Sequence, residues 1–253
     1  MIFGRQKEKA LNKKNLLDKK NKEILEEYGN NKLITLSTPD SPEAENFRII
    51  RSKILFPLKD KSIKTIMISS ALPNEGKTFV AANLAVSIAT GTDKDVYLID
   101  CDLRRPSIHK IFGISNKHGL HEYLTGEKGL SDIIIRVKPN NLAILPTGEK
   151  SNNPAELISS MKMKLLFDEI KGQYNDPFVV LDTNPSYILS DCNILANYVD
   201  GIIFVIMALK TPKNLVKEAV DNLGNKEKII GVVFNGSNKG LKGHYGKSYE
   251  DYK

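Results

Sequence analysis

The stretch TIMISSALPNEGKT, residues 65–78, decides the fold. An apolar run, Ile66 to Ile68, leads into a short polar loop that closes on Gly76-Lys77-Thr78, and a helical pattern follows at once in FVAANLAVSIA. Strand, loop, Gly-Lys-Thr and helix in that order form a phosphate-binding P-loop. The residue types suit the chemistry. Backbone N–H groups of the loop and first helical turn point at an anion, and the helix dipole favours negative charge there. Gly76 lets the main chain come close, Lys77 offers a point charge to phosphate oxygens, and the Thr78 hydroxyl suits a magnesium position. One position departs from the usual pattern: Ala71 stands where a first glycine is normal.

Outward from this loop, strand and helix patterns alternate. DVYLID (95–100) is a buried strand whose apolar residues run together, as in a parallel strand covered on both faces. LAILP (142–146), PFVVLD (177–182), GIIFVIM (201–207) and KIIGVVFN (228–235) read as further strands. Helical patterns occupy GLHEYLTG and GLSDIIIRV between residues 113 and 138, then 155–170, CNILANYV, and PKNLVKEAVDNL (212–223). The fold class is therefore α/β: a mostly parallel sheet with helices on both faces, a three-layer P-loop NTPase domain. Upstream, residues 36–42 read as a polar connection, and Ser41-Pro42-Glu43 starts a helix with a capping serine, a first-turn proline and an acid. That helix runs through EAENFRIIRSKILF to a stop near Pro57. Glu45, Arg48 and Arg51 share roughly one face of it, beside an apolar stripe of Phe47, Ile50 and Ile54.

The chain has 253 residues, 41% of them hydrophobic, which suits one α/β domain with short extensions. No stretch approaches ~20 uninterrupted apolar residues, and MIFGRQKEKA lacks the apolar core of a secretory signal. Two cysteines, Cys101 and Cys192, give neither metal spacing nor a disulfide framework, so a reducing cytoplasm fits. The net charge of +7 is uneven: Arg5, Lys7, Lys9, Lys13, Lys14, Lys19, Lys20 and Lys22 crowd the first two dozen residues. Such a run suits a solvated extension or contact with an anionic lipid surface or partner. No aromatics interleave with the lysines, so no nucleic acid partner is expected.

A P-loop needs a magnesium-organising carboxylate at the end of another strand. VVLD supplies Asp182, and LIDCDLRRP supplies Asp100 at a strand end with Asp102 two residues on. Carboxylates so close together repel unless a cation or substrate proton separates them.

With these motifs in place, the chain resembles the bacterial tyrosine kinases of capsule and exopolysaccharide synthesis, P-loop proteins unrelated to eukaryotic kinases. SSALPNEGKT resembles that family's Walker A motif, VYLIDCDLRRP its Walker A′, FVVLDTNPS its Walker B, and Asp191 falls where the family has a further acid. Glu45-x-x-Arg48-x-x-Arg51 is similar to the family's ring-forming helix, and Tyr245, Tyr249 and Tyr252 to its autophosphorylated tail. The departures are Asn74 for Gly, Asn184 for the first Pro of D-T-P-P, Met207-Ala208 for Arg-Ala, and only three tail tyrosines. They bear on the level of kinase activity.

The resemblance implies a protein-tyrosine kinase using ATP and Mg2+. Pro73, Asn74, Glu75, Gly76, Lys77, Thr78 and Phe79 would bind the nucleotide, and Asn235 would meet the adenine. Lys77, Asp100, Asp102 and Asp182 would be catalytic, with Thr78, Asp100 and Asp182 holding the metal and Asp102 receiving or orienting the phenol proton. The implied layout is a basic extension over 1–32, a P-loop kinase domain over 33–235 and a mobile tyrosine tail over 236–253. Implied partners are a transmembrane polysaccharide co-polymerase, further copies in a ring, and protein tyrosines, which places the protein in the cytoplasm at the inner membrane face. Two alternatives stay open. A partition- or septum-type switch ATPase would carry a second lysine where this loop has Leu72. A nucleotide-binding scaffold with little kinase activity would fit Asn74 and Asn184 but leave the tyrosine tail without a role.

Overall fold

The computed structural model describes residues 32–57, 62–139, 141–173, 176–187 and 190–237. The basic extension, but for Lys32, and the tail tyrosines lie outside the described residues. Seven strands form one sheet in the order β3-β4-β2-β5-β1-β6-β7. They are β1 (Thr65–Ser70), β2 (Val96–Asp100), β3 (Ile135–Val137), β4 (Leu142–Leu145), β5 (Phe178–Asp182), β6 (Gly201–Met207) and β7 (Ile229–Asn235). All pairings are parallel except β3 with β4.

The sheet is buried on both faces because both sides of its strands are apolar. Ile66 and Ile68 of β1, Leu98 of β2 and Val180 of β5 pack into one layer. Helices α1 (Ile34–Ser37), α2 (Pro42–Leu55), α3 (Lys77–Gly91) and α4 (Ile108–Phe112) complete that layer. Met67, Tyr97, Ile99, Val179 and Leu181, the alternate residues, pack into the other. There they meet α5 (Leu120–Thr125), α6 (Leu130–Ile133), α7 (Pro154–Ser159), α8 (Met161–Gln173), α9 (Asp191–Leu195) and α10 (Lys213–Asn222). α3, the helix after the P-loop, is buried from Val80 to Ala89 and is the most enclosed helix of the domain.

Three local expectations are corrected. The polar connection over 36–42 begins inside a short helix, α1, because Leu33 and Leu36 are buried against the core. GLSDIIIRV is helical only to Ile133. Its β-branched run then pairs Ile135, Arg136 and Val137 antiparallel with β4 as an edge strand. The helical stretch over 155–170 is two helices, parted where Ser160 takes an extended conformation. The α2 start is as expected: Ser41 Oγ accepts from the Ala44 N–H at 3.1 Å, with Pro42 in the first turn.

The strand order sets the site. β5 lies between β1 and β2, so the chain leaving the P-loop helix crosses over β5 to form β2. The C-terminal ends of three adjacent strands then converge. Asp100 and Asp182 are register partners across β2 and β5, and Asp182 is in turn level with Ile68 of β1, just before the P-loop. Ligands of open α/β sheets bind outside such carboxyl ends.

Candidate active site

The P-loop occupies the turn between β1 and α3. Gly76 caps α3 with φ +94°, and a Cβ there would sit 2.0 Å from Asn235 Nδ2. Only glycine fits that position. Asn74 also adopts a positive φ, +63°. Asparagine tolerates the left-handed region better than most residues, so it can stand where the resembled motif has glycine. Lys77 is nearly buried and donates from Nζ to Ser70 Oγ at 3.0 Å. The Thr78 and Ser107 hydroxyls are hydrogen-bonded at 2.8 Å.

Pro73, Asn74, Gly76, Lys77, Thr78 and Phe79 line one wall of a cleft of ≈ 550 Å3. Asp102, Arg104, Arg105 and Ser107 line the facing turn after β2, and Asn184 and Pro185 close the floor beyond β5. Glu75 is turned away from this cleft. Its side chain is buried, accepting the Leu72 N–H at 2.6 Å and the Met207 N–H at 3.3 Å, with Thr211 Oγ1 as a further donor. Glu75 therefore ties the P-loop to the end of β6 and the turn that follows it. Asn235 donates from Nδ2 to the Glu75 carbonyl at 2.9 Å and lines a neighbouring pocket with Phe79.

The acids differ in their surroundings. Asp100 is fully buried. Oδ2 accepts the N–H groups of Ser107 and Ile108, both at 3.0 Å, and Oδ1 accepts that of Asp102 at 3.3 Å. Burial nevertheless pushes its carboxyl up to about 6, against the pull of those amides. Asp182 is buried with no hydrogen bond to either carboxylate oxygen. Burial first, then the neighbouring Asp100 charge, drive its carboxyl well above the usual range. The nearby Thr78 hydroxyl and the Lys77 charge pull the other way. Asp102 uses Oδ1 to accept the Arg104 and Arg105 N–H groups at 3.2 and 2.9 Å, which fixes the turn. A buried carboxylate without a donor, set beside a second acid and a P-loop threonine, is a site that suits a divalent cation.

Beside the cleft floor, Asn184 Nδ2 donates to Asp191 Oδ2 at 2.5 Å, and Arg104 Nε reaches the same oxygen at 3.5 Å. Asp191 is buried and its Oδ1 has no hydrogen bond. Asp191 is marked in the sequence by its place after Walker B, whereas nothing there assigns roles to Ser70, Ser107, Arg104, Arg105 or Asn184. The signal for Ser107 lay in RRPS: a strand-end acid needs amide donors, and the turn directly after it supplies them.

The AAA domain model (AAA_31) matches residues 63–211. Tyrosine-protein kinase YwqD of Bacillus subtilis (strain 168) is 37% identical over 215 residues, which cover 85% of this chain and 90% of that protein. This chain belongs to the bacterial tyrosine kinases. The putative tyrosine-protein kinase CapB of Staphylococcus aureus is 36% identical over 198 residues, 78% of this chain and 86% of that protein. Among solved structures, the chimerical protein CapA2B2 superposes with a TM-score of 0.76 at 30% identity, covering 85% of this chain and 97% of that one. The kinase is thus a P-loop tyrosine-protein kinase whose relatives include capsule-region proteins.

Within the kinase, the helix carrying Glu45, Arg48 and Arg51 splits its charges. Arg48 Nε pairs with Glu45 Oε2 at 2.5 Å and its Nη1 donates to the Pro39 carbonyl at 2.8 Å. Arg51 turns inward and donates from Nη1 to the Ser87 carbonyl at 2.7 Å, over Gly91 of α3. Burial lowers the Arg51 pKa from its ordinary value, and the nearby Arg48 charge adds to that. Among the described residues no helix is long and apolar enough to cross a membrane.

Proposed function

We propose that this kinase transfers the γ-phosphoryl group of ATP to tyrosine hydroxyls, those of Tyr245, Tyr249 and Tyr252 among them, and so regulates capsular or exopolysaccharide synthesis and export. The observation that carries the reading is Asp182, a buried carboxylate without a hydrogen-bond donor, level with Asp100 and beside Thr78.

In this reading the N-terminus of α3 and Lys77 bind the phosphates, and Phe79 and Asn235 flank the base. Thr78, Asp100 and Asp182 would hold Mg2+, in part through water. Bound Mg2+ would neutralise charge on the phosphate oxygens as it develops. Asp102 has one oxygen fixed by the Arg104 and Arg105 amides, and its other oxygen is the acceptor for the phenol proton. The tyrosine Oη–P bond forms as the bond from phosphorus to the β–γ bridging oxygen breaks, and ADP leaves with that electron pair. Leu72 argues against a switch ATPase: its N–H is bound by Glu75, and it offers no lysine to a neighbour's phosphates.

We further infer that copies assemble through the helix face of Glu45, Arg48 and Arg51. Recruitment to the inner membrane face would come from a transmembrane co-polymerase, aided by the basic extension. The test is incubation of the purified protein with ATP and Mg2+, followed by mapping of phosphotyrosine. Lys77→Met should abolish labelling and weaken ATP binding. Asp102→Asn should keep ATP affinity and lose transfer. Normal labelling by Asp102→Asn would remove Asp102 from its role.

A further inference from the structure

The cleft carries two arginines that the phosphate-binding side does not use. Arg104 and Arg105 both line it, both are exposed, and both sit on the turn facing the P-loop. Neither pairs with the three acids of the site. Asp100 is engaged with backbone amides, and Asp102 accepts the main-chain N–H groups of the arginines themselves, not their side chains. Arg104 is tethered by its Nε to the buried Asp191, itself held by Asn184. Arg105 makes no ion pair among the described residues. The acceptor side of the cleft is therefore cationic, and one guanidinium there is already positioned.

The chain's own tyrosines differ in what surrounds them. Glu250 and Asp251 separate Tyr249 from Tyr252, whereas Tyr245 is flanked by Gly243, His244, Gly246 and Lys247. Resting on the kinase reading above, we infer that Arg105, together with Arg104 held by Asp191, selects tyrosines with adjacent carboxylates. Tyr249 and Tyr252 are then the preferred acceptors and Tyr245 a poor one. Guanidinium groups suit this task because their fixed fork of donors matches a carboxylate.

The experiment uses the peptide GKSYEDYK (residues 246–253) and the same peptide carrying Glu250→Gln and Asp251→Asn. Each is phosphorylated at saturating Mg2+ and ATP by the full-length wild type and by Arg105→Gln. An exposed ion pair changes an equilibrium by up to about fivefold. The acidic peptide should then have a kcat/KM up to roughly fivefold above the neutral one for each pair formed, with the difference in KM. High salt should shrink it. Arg105→Gln should cut the preference for the acidic peptide, leaving only the share that Arg104 supplies, and leave the neutral peptide and the KM for ATP unchanged. In the full-length protein, Tyr249 and Tyr252 should be labelled before Tyr245. Equal rates on the two peptides with wild type overturn the inference and leave the kinase reading standing. A fall on both peptides with a raised KM for ATP also overturns it, since Arg105 would then serve the nucleotide. No label on either peptide or on the tail would remove the kinase reading and this inference with it.

Discussion

Asp100 and Asp182 lie level with each other, both buried, at the ends of β2 and β5, and with divalent cations chelated the protein should lose stability as pH rises. The unfolded carboxyl titrates near 3.8, whereas burial holds Asp100 at about 6 in the folded state. Between those values the folded state binds a proton that the unfolded state has released, so stability falls with rising pH. The loss begins near the unfolded value and is complete once pH passes the folded one. About two units at 1.36 kcal/mol each gives roughly 3 kcal/mol from Asp100 alone. Asp182, shifted in the same direction, adds to it. Urea unfolding in EDTA at pH 4.5 and 7.5 would measure the loss, with Asp182→Asn as reference. That variant removes one of the opposed charges and should flatten the profile. Mg2+ with ADP should restore stability at pH 7.5 and do little at pH 4.5, where the carboxyls hold protons. A wild-type profile no steeper than that of Asp182→Asn would refute the idea that the two buried acids raise each other's protonation.

Asn184→Ala should destabilise the protein by about 1–3 kcal/mol, because it leaves the buried Asp191 carboxylate without its amide donor. Chemical denaturation would measure it, and a loss under 0.5 kcal/mol would make that bond incidental. Arg51→Ala should cost about 1–2 kcal/mol of stability through the lost bond to the Ser87 carbonyl. The double variant Glu45→Ala, Arg48→Ala should instead keep the melting temperature and shift the mass seen by light scattering from ring to monomer, and an unchanged mass would reduce that pair to a surface contact.

Where the sequence was legible, a local pattern and a global constraint agreed. β6 coincides with GIIFVIM because an apolar run bounded by Gly201 and a turn has few other places to go in an α/β domain. The P-loop was legible because its glycine, lysine and threonine are each required by chemistry at a fixed spacing. The order of the strands was not: nothing in the chain announces that β5 lies between β1 and β2, and it is this order that puts Asp182 opposite Asp100. Ile135 to Val137 misread as helix because a three-residue strand is too short to show a period, and only its pairing with β4 reveals it.

Side-chain direction was the other thing the sequence withheld. Glu75 sits in the middle of a phosphate-binding motif, so its position suggests a nucleotide contact, yet its carboxylate binds the end of β6 and the turn that follows it. Arg51 shares a helical face with Glu45 and Arg48 by spacing alone, but three residues on from Arg48 it has come round far enough to meet α3. Asn184 reads as a lost proline. In the fold it has a partner, Asp191, and through Asp191 it reaches Arg104 at the cleft. Two of the departures from the family pattern differ in what the fold makes of them. Asn74 fills a left-handed position that tolerates it, and little should change there. Asn184 adds a polar link between the floor of the cleft and one of its arginines, and the effect of replacing it should reach the acceptor side.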